Sequence, residues 1–138
     1  MRIIDADGLV LGRMCSVVAK SLLNGEEIVI VNAEKAIVSG NRTSIMEEYK
    51  RSRNQGKIRK GPYYPKMPDR ILKRTVSRMM QHRKSHGKEA MSHLKVYIGV
   101  PQDLQGGQFE AIEIAQKTGT LRKYMSLGDI SRELGAKL

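Results

Sequence analysis

Three histidines, one cysteine and a short acidic run are the residues of this chain best suited to chemistry, and each set fits a different ligand. His82, His86 and His93 would fall near one face of a helix, and the His-x-x-x-His spacing of the first two ligates zinc when a third ligand converges. Arg83, Lys84 and Lys88 surround them and would repel a dication. Gly87 is expected to break the helix between them, and no glutamate completes an H-E-x-x-H motif. No metal is therefore expected, and histidines among arginines suit phosphates or base edges better. Cys15 is the single cysteine and cannot form an internal disulfide. Its spacing from Leu11, Met14, Val18 and Leu22 marks it as a small buried hydrophobe rather than a nucleophile. Asp5-Ala6-Asp7-Gly8 after an apolar start has the outline of a dinucleotide-binding unit, with Glu34 where a ribose ligand would stand. The glycines disagree: Gly8 and Gly12 are separated by three residues, which matches neither G-x-G-x-x-G nor the P-loop spacing. No cofactor and no small-molecule substrate is expected, and a small nucleotide-binding α/β enzyme stands as the alternative.

The charge points elsewhere. The chain has 138 residues, with 25 Lys+Arg against 14 Asp+Glu, for a formal net charge of +11. Residues 50–88 hold fourteen of the basic residues and one acid, Asp69, so this segment carries +13 and the remaining 99 residues carry −2. A solvated face would interleave acids. Like charges at this density, within a Debye length of roughly 8 Å, repel one another and destabilise a fold unless a polyanion neutralises them. Tyr63 and Tyr64, between Pro62 and Pro65, could stack on unpaired bases, which RNA offers more readily than duplex DNA. The other reading of these tyrosines is that one or both pin the segment to the core. A DNA-binding module is a further alternative, although no zinc-finger or basic-zipper pattern is present. The helices expected on either side of a Ser85-His86-Gly87 turn make a poor helix-turn-helix. An anionic membrane is not expected as a partner, because no run of about 20 apolar residues and no signal-peptide pattern occurs.

The elements that must position these residues follow from apolar periodicity. Leu11, Met14, Cys15, Val18 and Leu22 predict an amphipathic helix over 11–24 with Asn24-Gly25 ending it. Strands are expected at Arg2–Asp5 and, buried on both faces, at Glu27–Asn32, giving a parallel crossover. A short third strand is expected at Ala36–Val38, then a helix with Ser44 and Glu47 as a capping box. From Lys50 the chain should leave the core. Asp69 is expected to cap a helix carrying Leu72, Val76, Met79 and Met80, followed by a short helix around Lys88–His93 and a last strand at Lys95–Gly99. Gln102–Lys123 should wrap the surface, and Ser126–Leu134 should form a capped helix ended by Gly135. Arginine in a helix's first turn opposes the macrodipole, so Arg13 is expected to face an anion together with that helix N-terminus.

These residues resemble a known family. Asp5-Ala6-Asp7-Gly8-Leu9-Val10-Leu11-Gly12-Arg13, Val29–Glu34, Val38-Ser39-Gly40 with Arg42, Lys60-Gly61-Pro62 leading to Pro68, Ile71–Val76, Lys95–Pro101 and Ser126–Gly135 match, in order, the universal large-subunit ribosomal protein thirteen family in its archaeal and eukaryotic form. Length predicts a single domain over 1–138, with the basic RNA-binding excursion expected at 50–88 and a peripheral C-terminal extension at 102–138; the resemblance implies a three-layer α/β/α sandwich with a small, mainly parallel four-stranded sheet. It also implies a cytoplasmic, non-enzymatic constituent of the large ribosomal subunit that binds and organises large-subunit rRNA during assembly and translation, beside neighbouring ribosomal proteins. The rRNA-binding residues expected are Arg13, Arg42, Arg53, Lys57, Arg59, Lys60, Tyr63, Tyr64, Lys66, Arg70, Lys73, Arg74, Arg78, His82, Arg83, Lys84, His86 and Lys88. One stretch departs from the family: Ser77-Arg78-Met79-Met80-Gln81 stands where an Arg-Gly-Met-aliphatic-Pro run is usual. With Gln81 in place of a breaker, a more continuous helix is expected there.

Overall fold

The computed structural model describes residues 1–56, 58–116 and 121–138. Its centre is a parallel sheet of β1 (Arg2–Asp5), β2 (Ile28–Val31) and β4 (Leu94–Val96), in the order β1-β2-β4. All four residues of β2 are buried, which is why it reads as an unbroken apolar run. Ile3 pairs with Val29 and Val29 with Lys95, while Ile4 pairs with Ile30 and Ile30 with Val96, so alternate residues share a face. Beyond β1 the sheet gains one further rung, since Asp5 N donates to Glu110 O at 2.9 Å and Glu110 N donates to Ile3 O at 2.8 Å.

Helix α1 (Leu11–Leu23) joins β1 to β2 and buries Leu11, Met14, Cys15, Val18, Ala19 and Leu22 along one stripe. Asn24 caps its end and Gly25, at φ +90°, reverses the chain. Helices α3 (Pro68–Arg78) and α4 (Ser85–Ser92) both pack against α1 and β4, so the three form one layer over the sheet. On the sheet's other side the 102–110 stretch approaches Ile3, close enough that a Cβ added at Gly107 would lie 3.7 Å from the Ile3 Cδ1 atom.

The α/β class and the parallel core agree with expectation, while several local details differ. The strands divide three and two rather than forming one four-stranded sheet. Strand β3 (Ile37–Ser39) pairs antiparallel with β5 (Tyr124–Ser126), placing Val38 opposite Met125. Lys95–Gly99 is accordingly not the last strand. The tail is also more than a surface wrapping: Ala115 is fully buried, and α5 (Leu127–Glu133) inserts Leu127 and Ile130 into the core. Ser126 caps α5 by accepting from Asp129 N, and Gly135 ends it at φ +100°.

Helix α2 (Arg42–Asn54) starts at an Asn41 cap, three residues before Ser44, because Ile45, Met46 and Tyr49 must turn inward together. Asp69 is not a cap either. Met67 takes that place, Pro68 is the first helical residue and Asp69 sits in the first turn. Despite Gln81, α3 stops at Arg78. Its last carbonyls are taken by short-range bonds from Met79 N to Val76 O and from Met80 N to Ser77 O, and turns follow to Lys84. Gly87 does not break α4. It is buried within it because a Cβ there would meet Gln81 O at 1.9 Å, so only glycine lets α4 lie against that turn. Ser85-His86-Gly87 is thus the first turn of a helix, not a link between two.

Candidate nucleic-acid interface

Helix α3 divides its residues cleanly. Ile71, Leu72 and Val76 are fully buried, while Arg70, Lys73, Arg74 and Arg78 recur at i, i+3, i+4 and i+8 on the other face. Burial of the apolar stripe, at about 1.5–3 kcal/mol per large side chain, holds that row of cations in place. Helix α2 carries a second set: Lys50, Arg51 and Arg53 are exposed near its C-terminal end, where cations also complement the macrodipole. The turns after α3 and the start of α4 carry Arg83, Lys84 and Lys88, all exposed.

The two tyrosines part company. Tyr64 is half-buried, meets Tyr49 edge-on with ring centres 6.1 Å apart, and has the Arg74 guanidinium 5.0 Å above its ring. Its backbone carbonyl accepts a 2.7 Å bond from Arg53 Nη1. Tyr64 therefore joins α2, the intervening loop and α3. Burial pushes its hydroxyl pKa up, opposed by Arg74 and Arg78, and burial pushes Tyr49 up as well, so both rings stay neutral. Tyr63, by contrast, is 67% exposed and donates its hydroxyl to the Ile58 carbonyl.

Among the described residues, none of the cations from 50 to 88 forms an ion pair. The one acid in the segment, Asp69, forms no ion pair among the described residues, and its Oδ1 is buried without a hydrogen-bond partner there. The charge excess thus survives folding. Arg13 is exposed in the first turn of α1, which holds no acid, and lines a small recess of about 80 Å³ with Val10, Ser39 and Leu121. Arg42 is different: it is ion-paired with Glu133, tying α2 to α5. Arg59, Lys60 and Lys66 are exposed on the loop, and Lys57 lies outside the described residues.

The three histidines do not form one ligand set. His82 Nδ1 lies 3.0 Å from Ser77 O, while His86, exposed in the first turn of α4, and His93, which caps its end, line one recess with Glu89. No group of three metal-ligating side chains occurs among the described residues. The apparent nucleotide-binding outline is used structurally. Asp5 Oδ1 accepts from Asp7 N at 3.0 Å and from Asn32 Nδ2 at 2.9 Å, and Glu34 Oε2 accepts from Gly99 N at 3.0 Å. These bonds tie the ends of β1, β2 and β4 together. Cys15 is buried, its thiol pKa pushed up to about 12 by desolvation, which removes the thiolate a nucleophile needs. No helix among the described residues is long and apolar enough to cross a membrane.

Sequence reasoning did not single out Asn54 and Gln55. With Arg53, Ile58 and Tyr63 they line an open cleft of about 410 Å³ between the end of α2 and the following turn. The available signal was two adjacent amides between a basic helix and Gly56.

Comparison with known proteins covers the whole of this architecture. Residues 1–103 match the family model described as Ribosomal protein L13. The chain is 50% identical over 138 residues to the large ribosomal subunit protein uL13 of Methanococcoides burtonii, covering 99% of each. It is 50% identical over 141 residues to the protein of that name from Methanosarcina barkeri, again covering 99% of each. With the Archaeoglobus fulgidus protein of the same name it shares 48% identity over 135 residues, covering 96% of this chain and 86% of the other. The family model ends before β5 and α5, whereas the first two relatives match 99% of the chain.

Proposed function

This chain belongs to the ribosomal protein L13 family, and from that premise we propose that it is a non-enzymatic constituent of the large ribosomal subunit that binds and organises large-subunit rRNA. The observation that carries this reading is the surface of the α2 C-terminal end, α3 and the start of α4, where cations mounted on a buried apolar rear have no carboxylate partners among the described residues. Phosphates of RNA would supply the missing charge, with release of condensed counterions contributing much of the affinity.

In this reading Arg53, Arg59, Lys60, Lys66, Arg70, Lys73, Arg78, Arg83, Lys84 and Lys88 take phosphates, as does Lys57. His82 and His86 contact phosphate or base edges, and Tyr63 takes a base or sugar. Arg74 and Tyr64 mainly hold the face in shape. Arg13, with the α1 N-terminus, extends the contact back to the core, and Arg42 contributes less because Glu133 already opposes it. Neighbouring ribosomal proteins would meet the surfaces left free of RNA. Two joined experiments test the proposal: sedimentation of cell extract, in which the protein should travel with large subunits, and competition at physiological salt between labelled large-subunit rRNA fragments and duplex DNA. A protein confined to soluble fractions, or one preferring duplex DNA, contradicts it.

A further inference from the structure

We propose that the cleft between the end of α2 and the 58–63 turn holds a single unpaired RNA base, stacked on Tyr63 and flanked by the amides of Asn54 and Gln55. The inference rests on the RNA-binding reading and adds to it the form of RNA selected.

Ile58 is 95% exposed and Tyr63 67% exposed, so two of the chain's large apolar side chains stand on a turn that gains nothing from burying them. They are nevertheless held. The Tyr63 hydroxyl donates to the Ile58 carbonyl, and a Cβ added at Gly61 would lie 3.2 Å from the Tyr63 ring carbons, so the ring rests against the backbone there. The turn itself is closed by contact. A Cβ at Gly56, whose φ is +91°, would meet Gly61 O at 2.4 Å and Pro62 Cδ at 2.6 Å. Arg53, bonded to Tyr64 O, fixes the returning strand of the turn to α2. An exposed aromatic ring held in this way pays little entropy on stacking.

The walls are compatible with a base. The cleft's volume of about 410 Å³ is within the range of small-ligand sites, roughly 300–1,000 Å³. Among the described residues no carboxylate lines it, Arg53 adds positive charge, and Asn54 and Gln55, whose amides carry both donors and acceptors, are among its lining residues. A base inside a duplex has both faces covered by its neighbours. Only an unstacked base, in a bulge or loop, can lie on the ring.

The test uses the full chain and two RNA hairpins of identical stem, one flush and one carrying a single bulged 2-aminopurine, at physiological salt. The bulged hairpin should bind roughly tenfold or more tightly than the flush one, with a change in 2-aminopurine fluorescence. Tyr63→Ala should remove the preference, weakening the bulged hairpin roughly tenfold more than the flush one, and Tyr63→Phe should keep most of the preference. Thermal melting checks that Tyr63→Ala remains folded, as its exposure leads one to expect. Equal wild-type affinity for both hairpins, or a parallel loss for both in Tyr63→Ala, overturns the base site. Persisting salt-dependent flush binding would then leave the phosphate-binding reading intact, whereas absence of binding to either RNA defeats both.

Discussion

The guanidinium of Arg74 lies 5.0 Å from the centre of the Tyr64 ring, so a cation from the middle of α3 is spent on the packing that joins α3 to the loop and to Tyr49 of α2. The basic face is thereby built as one surface from two helices that are separate in sequence.

That stacking should be measurable as a coupling. In urea unfolding, Arg74→Ala and Tyr64→Leu should be less destabilising together than their separate effects add up to, by about 0.5–1 kcal/mol. A cycle that closes at zero would mean that the stacked geometry contributes nothing to stability.

Two helical glycines should respond in opposite directions. Gly87→Ala places a Cβ 1.9 Å from backbone Gln81 O, so stability should fall by about 3 kcal/mol as α4 is pushed off the turn. Gly12 in α1 has no atom within 4 Å of an added Cβ, and Gly12→Ala should stabilise by about 0.5 kcal/mol through a less flexible unfolded chain. Thermal melts of the two variants decide both signs.

Cations of the same face should not be equal toward RNA. Lys73 is exposed and has no carboxylate partner among the described residues, and Lys73→Ala should reduce the slope of log affinity against log salt by about 0.7–0.9. Arg42, opposed by Glu133, should yield a smaller change in Arg42→Ala. Filter binding across a salt series with one rRNA fragment compares the two.

Cys15 should make stability fall with alkali. Its thiol ionises near 9.0 when unfolded but only at about 12 when buried. Below pH 9 both states hold the proton and the group contributes no pH dependence. Between those values the unfolded chain has released its proton while the native one retains it, so stability declines as pH rises. Urea titrations from pH 7 to 10.5 should show a shallower decline in Cys15→Ala, and a thiol reagent should label native wild type only as fast as it unfolds. Rapid labelling of the native protein at pH 8 would contradict the burial.

Much of the frame was legible because its signals are local. The stripe Leu11 to Leu22 needs only helical spacing, β2 needs only an unbroken apolar run, and the Ser126 and Gly135 boundaries of α5 need only capping chemistry. The charge excess of 50–88 is a count, and folding leaves it uncompensated among the described residues.

What the tertiary structure decided depends on contacts between distant residues. Val38 and Met125 become partners across 87 positions, and β3 leaves the parallel sheet because its hydrogen-bonding edge meets the tail instead. No local pattern assigns Glu133 to Arg42, or reveals that Gly87 must fit against Gln81 O. Tyr63 and Tyr64 are indistinguishable as neighbours in sequence. Packing separates them, since the Tyr49 ring, Arg53 and Arg74 converge on Tyr64 alone. Residue type and spacing determined that a strongly basic segment would rest on an α/β core. Only the folded chain determined which side chains are consumed in building that surface and which are left to bind, because burial and pairing are properties of neighbours in space.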